Sequence, residues 1–170
     1  GMGGVGKTTL AQKIYNDDKI KGIFSKQAWI CVSQEYSEVD LLKEVLRNIG
    51  VHYGQDETVG ELSGKLAMEI EKKSIFLVLD HIWQHGVWTN LLRVPLHTAA
   101  TTVILLTTRN DTVAQAIGVD VVHRVELMSA DVGWELLWKS MNITEPVKLQ
   151  TLQGVGMEII HMCGGLPLAL

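Results

Sequence analysis

Two rhythms of apolar residues run along the chain. In one, apolar positions recur three and four apart, as on a single face of a helix; in the other, they form short unbroken runs of β-formers. Leu10 and Ile14 carry a helix from the Gly-rich start GMGGVGKTTLAQKIYND to the polar cluster at Asn16–Asp18. QAWICVS, residues 27 to 33, reads as a buried strand. Ser37 opens a second helix, with Ser37 and Asp40 at capping-box spacing. Val39, Leu42, Val45, Leu46 and Ile49 line one face of it, and Gly50 ends it. After the loop VHYGQDET, Leu62, Leu66 and Ile70 form the next helical stripe. Lys72 and Lys73 close that stripe, where the helix dipole favours cations.

SIFLVLD (74–80) and TTVILLTTR (101–109) are too continuously apolar for strands with one wet face. Both predict strands buried on both sides, as in parallel sheets. DVVHRVEL (120–127) predicts a fourth strand. Beyond Leu127 the period is helical only. Trp134, Leu137, Trp138 and Met141 make one face, and Leu152, Val155, Ile159 and Met162 make another, before Gly164–Gly165 breaks the chain ahead of GLPLAL. The fold class expected is α/β, a parallel sheet flanked by helices over residues 1–128, followed by part of a small helical subdomain over 129–170.

Composition narrows the functional classes. With 46% hydrophobic and 20% charged residues, the chain is globular rather than disordered. A net charge of −4 lacks the broad phosphate-seeking field of a general nucleic-acid binder, so no direct nucleic-acid partner is expected. No stretch approaches the roughly 18 apolar residues of a membrane span, and no signal-peptide pattern opens the chain. Cys31 and Cys163 stand far apart in apolar surroundings and predict buried free thiols in a reducing, cytoplasmic compartment. The chain has no initiator Met, starts inside a Gly-rich motif and stops within an apolar run, which predicts a fragment.

Gly1-Met2-Gly3-Gly4-Val5-Gly6-Lys7-Thr8 matches G-x4-G-K-[ST], the phosphate-binding loop. Its glycines let backbone N–H groups point inward around a phosphate, at the positive N-terminus of the following helix. Lys7 is expected to reach the β- and γ-phosphates and the Thr8 hydroxyl to ligate Mg²⁺. An acid ending a buried strand is the expected second half, and Asp80 fits, holding Mg²⁺ through water opposite Thr8. Arg109 follows the third strand, beyond the carboxyl ends where open parallel sheets bind ligands. It is either a γ-phosphate contact or a solvated surface arginine. His81 and His85 are four apart, but a zinc site needs three or four ligands of defined spacing and no cysteine is near. The Trp134–Trp138 pair, Trp29, Trp83 and Trp88 are expected to be packing residues.

In order, these segments resemble the NB-ARC nucleotide-binding domain of plant nucleotide-binding leucine-rich-repeat disease-resistance proteins. The matching blocks are GMGGVGKTTLAQKIYND, FSKQAWICVSQEYS, FLVLDHIW, TTVILLTTRN, VELMSADVGWELLWKSM and CGGLPLAL. Trp83 and the WICVS block resemble the coiled-coil subclass rather than the Toll-like one. The resemblance implies a P-loop NTPase fold and an ATP/ADP switch, ADP-bound at rest and ATP-bound when active in defence signalling. Its partners would be the adenine nucleotide and the receptor's own coiled-coil and leucine-rich-repeat regions, with oligomerisation of the active receptor. Gly3, Gly4, Val5, Gly6, Lys7, Thr8 and Thr9 would hold phosphates and Mg²⁺. Asp80 would be the metal-side acid, Arg109 the γ-phosphate sensor, and Pro167 a neighbour of the adenosine.

Three departures accompany the resemblance. The family usually carries two successive acids at 80 and 81; here the second is His81, so nucleotide binding with slowed hydrolysis is expected. The strand before the phosphate loop is absent, which predicts poor folding of the isolated 170 residues. The remaining helical and winged-helix regions, with their histidine contact to ADP, are also absent. The competing readings are a turnover P-loop ATPase or kinase and a degenerate copy that binds no nucleotide.

Overall fold

The computed structural model describes residues 2–170; Gly1, the first glycine of the phosphate-loop motif, lies outside the described residues. The chain divides into two compact units. One is Thr8–Val122, and the other joins the segment ending at Lys7 to His123–Leu170.

The larger unit is built on a parallel sheet of three strands, β1 (Lys26–Cys31), β2 (Ser74–Ile82) and β3 (Thr101–Thr108), in the order β1-β2-β3. β2 is central, and Ile75 through Asp80 are buried, as a continuously apolar run demands. The alternation of the pleat divides its side chains between two cores. Ile75, Leu77 and Leu79 join Ala28 and Ile30 against helices α3 (Glu38–Asn48) and α4 (Val59–Ile70). Phe76 and Val78 pack with Ala11 of helix α1 (Lys7–Tyr15). Around that second core, Tyr15 meets Trp29 edge-on at 5.4 Å and Phe24 stacks on Phe76 at 5.4 Å.

The flanking helices form where stripe and cap agree. The Ser37 side chain accepts the N–H of Asp40 at 3.3 Å, and Leu42, Val45 and Leu46 are fully buried. In α4, Thr58 and Glu61 complete a reciprocal capping box, and Leu62, Leu66 and Ile70 are fully buried. Lys73 lies just past the end of α4 and pairs with Glu69 at 2.7 Å; Lys26 of β1 reaches the same carboxylate at 2.9 Å. Shorter pieces escape the sequence pattern. Helix α2 (Asp18–Ile23) is capped by Asp17, and a π-helical turn, Val87–Leu92, runs into helix α5 (Arg93–Leu96). Helix α6 (Asp111–Ile117) is capped by Asn110.

Two strand expectations need correction. β3 is not buried on both faces: Val103 is 42% exposed, and Thr107 is the strand's one fully buried residue. β3 has a ladder on one side only and lies at the margin of the described sheet, where less covers it. Residues 120–127 form no strand. A strand needs a ladder to satisfy its N–H and C=O groups, and this segment joins none among the described residues. Val121 is accordingly 84% exposed.

The smaller unit pairs helix α7 (Ala130–Ser140), capped by Ser129, with helix α8 (Pro146–Met162). Their contact is built on glycine. A Cβ at Gly156 would lie 2.2 Å from the Trp134 ring, and one at Gly133 would lie 2.9 Å from Ile160 Cγ2. This corrects the stripe expected on α8. Its buried positions are Gly156 and Ile160, while Val155 and Met162 stand 59% and 87% exposed. Trp134 and Trp138 are half-buried.

The cysteines also differ from expectation. Both are free thiols, but Cys31 is exposed and Cys163 is half-buried, donating to the Ala169 carbonyl at 3.1 Å. Partial burial, then the charges of Asp80 and Glu44, push the Cys31 thiol above its usual pKa and keep it protonated. Among the described residues no helix is long and apolar enough to cross a membrane.

Candidate functional site

β2 ends at the chemistry. The pleat that sends Phe76 and Val78 toward α1 sends Asp80 the same way, toward Thr8 in the first turn of that helix. The Thr8 hydroxyl donates to Asp80 Oδ1 at 2.9 Å and lies 3.2 Å from Oδ2. Thr107, on β3, donates to Asp80 Oδ1 at 2.5 Å. Asp80 is 4% exposed and Thr107 5%. Burying a carboxylate costs several kcal/mol unless hydrogen bonds compensate, and two hydroxyls supply them here.

His81 departs from strand geometry. In a regular strand it would face away from Asp80. The β2–β3 register slips between Leu79 and Ile82, and His81 takes φ +62, the left-handed region rare for non-glycine residues. Its N–H donates to Thr107 Oγ1 at 3.0 Å, so one threonine oxygen anchors the histidine backbone while donating to Asp80. The ring returns to the acid's side, with Nε2 3.4 Å from Thr8 Oγ1. Thr8, Asp80 and His81 thus converge, which residue spacing alone could not decide.

Arg109 stands immediately beyond β3. The Thr108 hydroxyl ties this end of β3 to the Ile82 carbonyl at 2.9 Å, and Asn110 Oδ1 accepts the Thr112 N–H at 2.9 Å. The Arg109 guanidinium lies 5.8 Å from the centre of the Trp83 ring, within cation–π range. Trp83 is 42% exposed, a correction to its reading as packing. Thr9, on α1, is exposed, and His85 lies in no metal-ligand cluster among the described residues.

The smaller unit holds the phosphate-loop turn itself. Gly4 and Gly6 have φ +76 and +100. The Gly4 carbonyl accepts the Leu168 N–H at 3.3 Å, and a Cβ on Gly4 would lie 2.8 Å from Leu168 Cβ. No other residue fits there without displacing the short turn Pro167–Ala169. The Lys7 ammonium donates to the Met2 carbonyl at 2.5 Å across the turn. Gly3, Gly4, Val5, Gly6 and Lys7 therefore share one unit with Pro167, whereas Thr8, Thr9, Asp80, His81 and Arg109 belong to the other.

Sequence reasoning passed over two residues, Thr107 and Trp83. The signal for Thr107 was its place across the sheet from Asp80, visible once β2 and β3 are aligned by their apolar runs. For Trp83 the packing expectation concealed its place beside Arg109 at the strand ends.

Comparison with known proteins gives a consistent answer. The NB-ARC domain family matches residues 1–145. The chain is 33% identical over 179 residues to Disease resistance RPP13-like protein 4 of Arabidopsis thaliana, covering 100% of this chain and 20% of that protein. It is 34% identical over 178 residues to Disease resistance protein RPP13 of Arabidopsis thaliana, covering 100% and 21%. With Putative disease resistance protein RGA1 of Solanum bulbocastanum it shares 34% over 173 residues, covering 99% and 18%. The chain spans about a fifth of the length of these curated relatives.

Proposed function

Because the chain belongs to the NB-ARC family, we propose that it is the adenine-nucleotide-binding switch of a plant immune receptor, resting with ADP and active with ATP. The observation that carries this reading is the hydrogen-bonded Thr8–Asp80–Thr107 cluster at the carboxyl end of the central strand, in which Thr8 closes the G-x4-G-K-T motif. Ligands of open α/β sheets bind at that end. Gly3, Gly4, Val5, Gly6, Lys7, Thr8 and Thr9 hold the phosphates, Arg109 reads the γ-phosphate, and Pro167 lies by the adenosine. Residues 1–128 form the nucleotide-binding subdomain and 129–170 the start of the helical one.

A hydroxyl and a carboxylate within 2.9 Å of each other are the hard oxygen donors a Mg²⁺–nucleotide takes. Thr8 and Asp80 would hold that ion, which bridges and neutralises phosphate oxygens. Hydrolysis is slow, because an imidazole stands at 81 where the family carries a second acid. In the receptor, the switch acts with coiled-coil and leucine-rich-repeat regions, and the ATP form oligomerises in the cytoplasm.

The test is identification of bound nucleotide. The purified protein, denatured after incubation with ATP and Mg²⁺, should release stoichiometric adenine nucleotide, and Lys7→Ala should lower its binding roughly tenfold or more. Absence of bound nucleotide in unmodified protein that unfolds cooperatively on heating, and is therefore folded, would refute the reading.

A further inference from the structure

Thr8, Asp80 and His81 converge on one point from α1 and the end of β2. Cis ligands of an octahedral divalent ion stand about 3.0 Å apart when each metal–ligand bond is about 2.1 Å. Thr8 Oγ1 lies 3.4 Å from His81 Nε2, slightly longer than such an edge and within reach of one shared ion, and 2.9 Å from Asp80 Oδ1, which faces the same ion directly or through a water. We propose that His81 Nε2 is itself a direct ligand of the nucleotide's divalent cation, which converts an all-oxygen Mg²⁺ site into a mixed nitrogen–oxygen site favouring the later first-row ions, such as Co²⁺, over Mg²⁺. The proposal rests on the reading that Thr8 and Asp80 hold the nucleotide's cation.

Three features of the structure support it. The first is the backbone. His81 occupies a left-handed conformation at φ +62, and a β-bulge turns its ring to the same side as Asp80. Left-handed conformations of non-glycine residues cost of order 1 kcal/mol or more and persist where the surroundings enforce them. Here the enforcing contact is the His81 N–H on Thr107 Oγ1 at 3.0 Å. The second is the choice of nitrogen. The anchored backbone leaves Nε2, the outer ring nitrogen, as the atom facing Thr8. The third is ligand chemistry. Imidazole is a poor partner for Mg²⁺, which demands oxygen, and a good one for later divalent ions of the first transition row.

A ligating imidazole has its lone pair committed to the ion. It is then not available to accept a proton from an attacking water, so metal ligation and slow hydrolysis share one cause.

The experiment uses Mn²⁺ as the probe. The purified protein is loaded with Mn²⁺ and ADP, and pulsed electron paramagnetic resonance reads nitrogen nuclei bonded to the ion. A directly bonded histidine ¹⁴N coupling is expected, and it should vanish in His81→Asn, a residue that tolerates the left-handed region, recorded with Mn²⁺ and ADP raised until the weakened site is saturated. In parallel, the ratio of ADP affinity in Co²⁺ to that in Mg²⁺ should fall roughly tenfold in His81→Asp. Bound Mn²⁺ without a nitrogen coupling overturns this inference and leaves the nucleotide switch standing. A coupling that survives His81→Asn assigns it to another histidine and also overturns it. Failure of the unmodified protein to bind Mn²⁺–ADP overturns both.

Discussion

The two helix pairs of this molecule are held together in opposite ways. In the larger unit, α3 and α4 bury nearly all of their aliphatic stripes, with Leu42, Val45, Leu46, Leu62, Leu66 and Ile70 all without exposed surface. In the smaller unit, α7 and α8 meet through Gly133 and Gly156, and the aliphatic stripe of α8 stays wet. The first pair rests on a sheet whose apolar face is wide enough to cover the stripes. The second consists of two helices, and the close approach allowed by a missing side chain fixes which faces meet. Apolar periodicity therefore locates a helix in both units, but gives the buried face only where there is a broad surface for it to meet.

The largest effect expected is in the aliphatic pair. Leu66→Ala should cost about 2–5 kcal/mol by denaturant unfolding, the usual range for a fully buried leucine that leaves a cavity. Next comes the glycine seam. Gly156→Val places a side chain where the Trp134 ring stands and should destabilise the α7–α8 pair by about 1–3 kcal/mol, read from the change in tryptophan emission on heating. If Gly156→Val is neutral, glycine is not what holds α7 to α8. Leu152→Ala should sit within about 0.5 kcal/mol of the parent, because that leucine is 39% exposed on the wet face. A cost close to that of Leu66→Ala would erase the contrast between the pairs.

The smallest effect concerns pH. Hydrogen bonds from Lys73 and then Lys26 hold the Glu69 carboxyl below its usual pKa. Its contribution is present above the unfolded value, about 4.3, and is lost as pH falls through the lower folded value. Glu69→Gln should flatten the acid limb of the stability curve slightly, since exposed pairs contribute little.

Much of the fold was legible where local and long-range signals agreed. Ser37 with Asp40, and the stripe through Leu62, Leu66 and Ile70, combine a helix boundary with a buried face, and the helices lie there. β2 was legible because its apolar run has no polar interruption. The phosphate loop, with Asp80 at the end of β2, was legible because its residues are fixed by backbone geometry and charge. The misjudged features depend on partners distant in sequence. β3 reads like β2, but burial is decided by what covers a strand, and Val103 is left exposed. The segment 120–127 has strand composition without a ladder. His81 was visible as a substituted acid, but its return to the side of Asp80 depends on a register slip that no single strand encodes. Trp83 looked like core, and its pairing with Arg109 follows from the meeting of two strand ends.

The seat of Gly4 against Leu168 has a consequence for how the protein is made. Residues emerge from a ribosome at about 5–20 per second, so the roughly 160 residues between these two take on the order of 10 to 30 s to appear. Throughout that interval the phosphate loop exists without the backbone partner that receives its turn at Gly4. The turn at Gly4 thus waits on GLPLAL, and a nascent chain cannot make this contact before Leu168 is made.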